Sequence, residues 1–132
     1  MSVLVDSSGW IEYLRKTGSA QNIAVRRALR DDTAATTDVV LLEVLAGTTS
    51  PERVAAWQRL LGRCEFVPQV PRMDVEAAAG LYRECRRAGE TIRSLNDCLI
   101  AAIAIRHDVP VLHRDRDFDV IAEHSALQVV RG

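Results

Sequence analysis

SLNDCLIAAIAIRHDVPVLHRDRDF, residues 94–118, is the stretch that decides how the chain is read. It opens on a polar Ser-Leu-Asn-Asp and runs into an apolar row, Leu99, Ile100, Ala101, Ala102, Ile103, Ala104 and Ile105. The chain then turns at His107 and Asp108, passes Pro110, rises again at Val111 and Leu112, and ends in carboxylates at Asp115, Asp117 and Asp119. The pattern predicts a buried helix, a short turn, and a buried strand whose C-terminal end delivers acids into a cleft. In an open parallel sheet that end of a strand is where ligands bind. A helix carrying an acid beside a strand ending in acids is half of a metal site.

Working outward, the rest of the chain repeats the alternation. Val3, Leu4 and Val5 form a short apolar run ending at Asp6, which reads as a buried first strand. Ser7 and Ser8 are placed to cap a helix carrying Trp10, Ile11 and Leu14. A second helix is expected over about 22–30 and a second strand over 33–37, with Asp38 capping a helix that Gly47 stops. Ser50 and Pro51 suit the cap and first position of the next helix, which carries Trp57. A strand over 64–67 is closed by Pro68, and Asp74 opens a long helix that Gly89 ends. The helix of residues 94–107, a strand over 109–113, a short helix over about 118–123 and a strand over 127–130 complete the pattern. Strands alternating with helices argue an α/β fold: one domain, residues 1–132, with a central, mostly parallel sheet of about five strands and helices on both faces.

With 132 residues, the chain is long enough to bury a core without disulfide help. A formal net charge of −1 gives no general attraction to nucleic acid, so a polyanion must meet local arginines or bound cations. Lys16 is the sole lysine, a skew that fits phosphate recognition and genomic composition bias alike. Cys64, Cys85 and Cys98 form no C-x-x-C, and buried reduced thiols are the expected reading, compatible with the cytoplasm. The N-terminus lacks the features of a signal peptide, and no apolar run reaches membrane-spanning length.

Several acids stand where structure alone does not ask for them. Glu43 projects from a helix face of Val39, Val40, Ala46 and Gly47, where an ionised carboxylate needs a partner, either an arginine or a metal. Asp97 shares a face with Ile100, Ala101 and Ala104, although an acid in a first turn also complements the helix dipole. Asp6 ends the first strand, and Asp115 and Asp117 follow the fourth; each taken singly is an ordinary turn or surface acid. Together, two strand ends and two helices on one rim bring four or five carboxylates close, and like charges that near do not all ionise without a cation. Oxygen-only donors select Mg²⁺ or Mn²⁺ over zinc.

Four blocks in order, VLVDSSGWIEYL, TTDVVLLEVLAG, SLNDCLIAAIAI and VPVLHRDRDFDVI, resemble a PIN domain, in particular the VapC-type toxin ribonucleases of bacterial toxin–antitoxin pairs. The resemblance covers essentially the whole chain. It implies an endoribonuclease dependent on Mg²⁺, with Mn²⁺ possible, in which water activated by the ion attacks phosphorus. It matches Asp6, Glu43 and Asp97 to the first three acids, with Ser7 and Asn96 beside them; Asp115 and Asp117 are both candidates for the fourth. Asp6, Glu43, Asp97 and Asp115 are the catalytic set implied, and Asp6, Asp97, Asp115 and Asp117 the metal ligands. The family often carries threonine or serine where this chain has His113. Arg93, Arg114 and Arg116 flank the site and are candidates to grip the RNA backbone, with ordinary salt bridging the competing explanation. The family also implies a VapB-type antitoxin, a homodimer and a toxin–antitoxin hetero-oligomer, while core packing accounts equally well for the helices around Trp10 and Trp57. A haloacid-dehalogenase-like phosphatase needs a second aspartate where Ser8 stands, and a receiver domain needs a late lysine. A PIN-like module kept only for regulation or protein binding remains as the non-enzymatic alternative.

Overall fold

The computed structural model describes residues 1–130. Five short strands, β1 (Val3–Val5), β2 (Ala34–Thr36), β3 (Glu65–Phe66), β4 (Val111–Leu112) and β5 (Val129–Val130), form one sheet in the order β3-β2-β1-β4-β5. Every pairing is parallel, so the expected mostly parallel sheet is wholly parallel among the described residues. β1 is central, flanked by β2 (Val3 opposite Ala34) and β4 (Leu4 opposite Val111). The chain builds outward from β1 in one direction through β3, then returns to the other side of β1. That reversal opens a crevice beyond the C-terminal ends of β1 and β4.

Seven helices connect the strands: α1 (Ser7–Arg15), α2 (Ala20–Arg30), α3 (Asp38–Ala46), α4 (Pro51–Gly62), α5 (Pro71–Arg87), α6 (Leu95–His107) and α7 (Arg116–Glu123). Right-handed crossovers place α1–α4 on one face and α5–α7 on the other. The packing agrees: α1 meets α2 and α3, and α3 meets α4, whereas α5, α6 and α7 pack on one another. α3 and α6 also touch, across the rim where the crevice opens. The core runs through Leu4, Val5, Val40, Ile100, Ile103, Leu112 and Phe118. α6 is apolar almost all round, with Cys98 and the run from Ile100 to Ala104 buried. Burying its sides leaves only its ends for polar work.

Element boundaries differ from the expected ones for local reasons. Asp6, not Ser7 or Ser8, caps α1 by accepting from the Ser8 N–H. Asp38 is the first residue of α3 rather than its cap, and its carboxylate accepts from the Gln69 N–H instead. α5 begins at Pro71, with Asp74 reaching back to the Val70 N–H. β4 is shorter than residues 109–113 because Val109 is spent on the helix stop: Asp108 is left-handed and the Val109 N–H bonds to the Ala104 carbonyl. Cys64 is likewise used in ending α4, through the Leu61 carbonyl. Trp10 and Trp57 are both buried and pack edge to face, 5.9 Å apart, so core packing accounts for the two rings. Cys85 and Cys98 are buried free thiols and Cys64 is half-buried; burial raises the pKa of all three, which makes them poor nucleophiles. Among the described residues, no helix is long and apolar enough to cross a membrane.

Gly9 lets α1 start against the sheet. A Cβ there would meet Val5 Cγ1 at 2.9 Å and the Leu112 carbonyl oxygen at 3.1 Å. Only glycine allows the first turn of α1 to sit over the ends of β1 and β4, where the acids emerge.

Candidate metal centre

Asp6 leaves β1 at its C-terminal end and is 2% exposed. Three hydrogen bonds fix its carboxylate: Oδ1 accepts from the Ser8 N–H (2.8 Å), Oδ2 from the Ser8 hydroxyl (2.7 Å), and Oδ1 lies 3.3 Å from the Ser7 hydroxyl. Ser7 also lies 3.2 Å from Glu43 Oε1, so one hydroxyl spans the acids of β1 and α3. Glu43 is half-buried and its Oε2 accepts from the Asn96 amide at 3.4 Å. Asp97, in the first turn of α6, is buried, and its Oδ2 has no hydrogen-bond donor among the described residues. Asp115 stands at the start of α7, half-buried, with Oδ1 accepting from the Asp117 N–H at 3.0 Å.

The electrostatics follow from this crowding. Burial, and then the charges of Glu43 and Asp115, push the Asp6 pKa up to about 6 against the pull of the Ser8 bonds. Burial raises Asp97 to about 9, helped by a hydrogen bond with Asp115 and by the charges of Asp115, Asp6 and Glu43. Without a cation, the cluster holds at least one proton at neutral pH. Asp97, Asp115 and Asp117 can bring one oxygen each within 4.8 Å of one another. The donors are all carboxylates, with no thiolate or imidazole among them, and two buried oxygens, Asp97 Oδ2 and Asp117 Oδ1, accept no hydrogen bond among the described residues. Such a set fits a hard divalent ion.

The residues read from sequence do not all play one part. Asp117 is buried, but Arg93 engages both its oxygens: the backbone N–H reaches Oδ2 at 2.9 Å and Nε faces Oδ1 at 3.5 Å. Arg93 also meets Asp115 Oδ1 at 3.3 Å. Arg114 is committed to Glu12 at 2.7 Å, while Arg116 is exposed at the start of α7. Sequence reasoning missed Ser8 and Glu12. Ser8 donates to Asp6 and accepts from the Arg114 N–H at 2.8 Å, joining the segments after β1 and β4. Glu12 is buried, takes bonds from Thr17, Ser19 and Arg114, and has a lowered pKa, chiefly through the two hydroxyls. The available signal for Ser8 was its place two residues after a strand-end aspartate, where an Asx turn forms.

The PIN domain family model matches residues 3–124, which contain every acid of the cluster. The chain belongs to the PIN domain family. Within that family, VapC ribonuclease Mb1587 of Mycobacterium bovis is 45% identical to this PIN domain over 128 residues, covering 96% of both chains. Ribonuclease VapC11 of Mycobacterium tuberculosis matches to the same extent. Among solved structures, VapBC2 from Rickettsia felis, bound to a DNA fragment from its promoter, superposes with a TM-score of 0.75 at 19% identity over 98% of each chain. VapBC-5 from Mycobacterium tuberculosis, a member of the VapBC toxin–antitoxin family, gives 0.68 at 23% identity over 99% of this chain and 98% of that one. At those identities the structural likeness carries the fold, and the PIN fold is the one described above.

Proposed function

We propose that this PIN domain is an endoribonuclease, the toxin of a toxin–antitoxin pair, dependent on Mg²⁺ or Mn²⁺ held by its acidic cluster. One observation carries the reading: Asp6 and Asp97 are buried beside Glu43 and Asp115 with raised pKa values, and among the described residues neither of the two has an ion pair. Full-length 45% identity to ribonucleases of the VapC kind supports RNA as the substrate. Asp6, Asp97 and Asp115 would hold the ion, with Glu43 reaching it directly or through water. A bound divalent ion supplies a more acidic water and offsets charge on the phosphodiester.

The chain's own groups do the rest. Ser7 and Asn96 orient the Glu43 carboxylate, and Ser8 fixes Asp6. Asp115 serves as the fourth acid because it stands among the others and is open to solvent on one side; Asp117 is absorbed in holding Arg93. Arg116 is exposed and placed to meet phosphates, whereas Arg93 and Arg114 are exposed but already paired, with Asp115 and Asp117 and with Glu12 respectively. An antitoxin of the VapB kind is the partner that the VapBC neighbours support, a homodimer is what the family resemblance implies, and three reduced thiols fit a cytoplasmic setting.

The test is cleavage of a mixed RNA pool by purified protein with Mg²⁺ or Mn²⁺, beside a chelated control and Asp97→Asn. Cutting that requires metal and is lost in the variant is the expected result. Activity that survives chelation would overturn the metal site, and a protein that neither cuts nor binds metal is a binding module.

A further inference from the structure

We propose that the buried imidazole of His113 is the positioning residue for Asp115, setting where the fourth acid meets the metal. The inference rests on the metal-site reading above. His113 follows β4 directly, is buried, and packs on Phe118 with ring centroids 5.1 Å apart. Its Nδ1 lies 3.0 Å from the Asp115 backbone nitrogen, whose N–H donates to it. A backbone N–H can only donate to an unprotonated ring nitrogen, so the proton of the neutral ring is on Nε2. Nε2 lies 3.4 Å from Asp119 Oδ1, on the first turn of α7, and that carboxylate selects the tautomer.

The bond from Asp115 to His113 spans two residues, and the next bond, from the Asp117 N–H to Asp115 Oδ1, repeats the span. Two successive turns of this kind fix both the backbone and one carboxylate oxygen of Asp115. Between them the Arg114 N–H is held by Ser8. An imidazole thereby sets the turn that carries the acid, and Asp119 sets the imidazole. His113 touches no reacting atom in this account; it acts through Asp115.

The experiment compares wild type, His113→Asn and His113→Phe by Mn²⁺ titration calorimetry and by hydrogen exchange at the Asp115 amide. Asparagine places an acceptor oxygen where Nδ1 stands, while phenylalanine keeps the ring volume and removes the acceptor. Removing a group that orients a ligand typically weakens metal affinity by about 10–100-fold, so His113→Phe should lose at least about tenfold while His113→Asn stays within about threefold of wild type. The Asp115 amide should exchange faster in the phenylalanine variant only. Should His113→Phe fail to fold, His113→Gln, whose amide lies out toward Asp119, carries the same expected loss. Wild-type affinity in the phenylalanine or glutamine variant, or an equal loss in His113→Asn, overturns the positioning role alone. A wild-type protein that binds no Mn²⁺ removes the metal reading itself, and this inference with it.

Discussion

The two ends of α6 treat a buried carboxylate in opposite ways. At its last turn, Arg106 donates from Nε and from an amino nitrogen to Asp74 of α5, both at 2.8 Å, and also bonds to the Pro68 carbonyl. Asp74 is as buried as any acid in the protein, yet its pKa is lowered, chiefly by the Arg106 bonds. At the first turn, Asp97 is buried among other carboxylates and its pKa is raised to about 9. One acid has its cation built into the fold and clamps α5 to α6. The other has none among the described residues and stays at odds with its surroundings until something from solution supplies it. Burial alone therefore does not mark a functional acid; burial without a partner does.

The strongest way to break this comparison is to neutralise each acid in turn. Asp97→Asn should cut RNA cleavage by roughly 10³-fold, at the upper end of what losing one preorganised charge-stabilising group costs. The same variant should melt higher than wild type in chelator at pH 8, since an amide folds without the proton that Asp97 must take up on burial. Asp74→Ala should instead cost about 3 kcal/mol of stability by stranding Arg106, toward the low end for buried pairs because the guanidinium is partly exposed. Its cleavage rate per folded molecule should stay near wild type. If denaturant melts gave the two variants stability changes of the same sign, the contrast would be wrong.

The pH dependence sharpens the same point. Asp97 and Asp6 have folded pKa values above the unfolded value, so the folded state binds more protons and metal-free stability falls as pH rises through about 6 and toward 9. One unit of displaced pKa is worth about 1.4 kcal/mol, and between pH 5 and 9 folded Asp97 keeps the proton that the unfolded chain has lost, so a loss of about 5 kcal/mol is expected, and saturating Mg²⁺ should cancel much of it. Asp74 works in the opposite sense: its lowered pKa gives stability that is present above the unfolded value near 4 and lost on further acidification. Thermal melts of metal-free protein should thus peak near pH 4, where the two effects cross, and a flat profile would refute the account. The smallest effect is expected from Gly9→Ala. Its Cβ would press on Val5 and the Leu112 carbonyl and cost about 1–2 kcal/mol, with cleavage falling further than stability because Asp6 and Ser8 move with the turn.

Much of this site could be read from the sequence because Asp6, Glu43 and Asp97 each interrupt or end an apolar run, and periodicity gives the face on which each projects. The parallel sheet followed from the alternation of strands and helices, whereas the central place of β1 is given by the strand order. The pairing of Asp74 with Arg106 did not: the aspartate looked like a helix-opening charge, and its partner lies far along the chain on another helix. Glu12 was hidden by Trp10, Ile11 and Leu14, which suggested an inward face; in fact Ile11 and Leu14 are exposed while Glu12 is buried under Arg114. Such charged pairs are fixed by tertiary contact, which local spacing does not encode. Strand ends were overestimated wherever a helix stop used the first residue of an apolar run, as at Val109.

The pairing of Leu4 with Val111 also orders events in time. The first acid of the cluster is made about a hundred residues before the strand that brings the fourth beside it. A ribosome-bound chain stopped before Val111 has Asp6, Glu43 and Asp97 without the edge that gathers them to Asp115. On the metal-site reading, arrested chains of increasing length should gain metal binding only once β4 has cleared the exit tunnel.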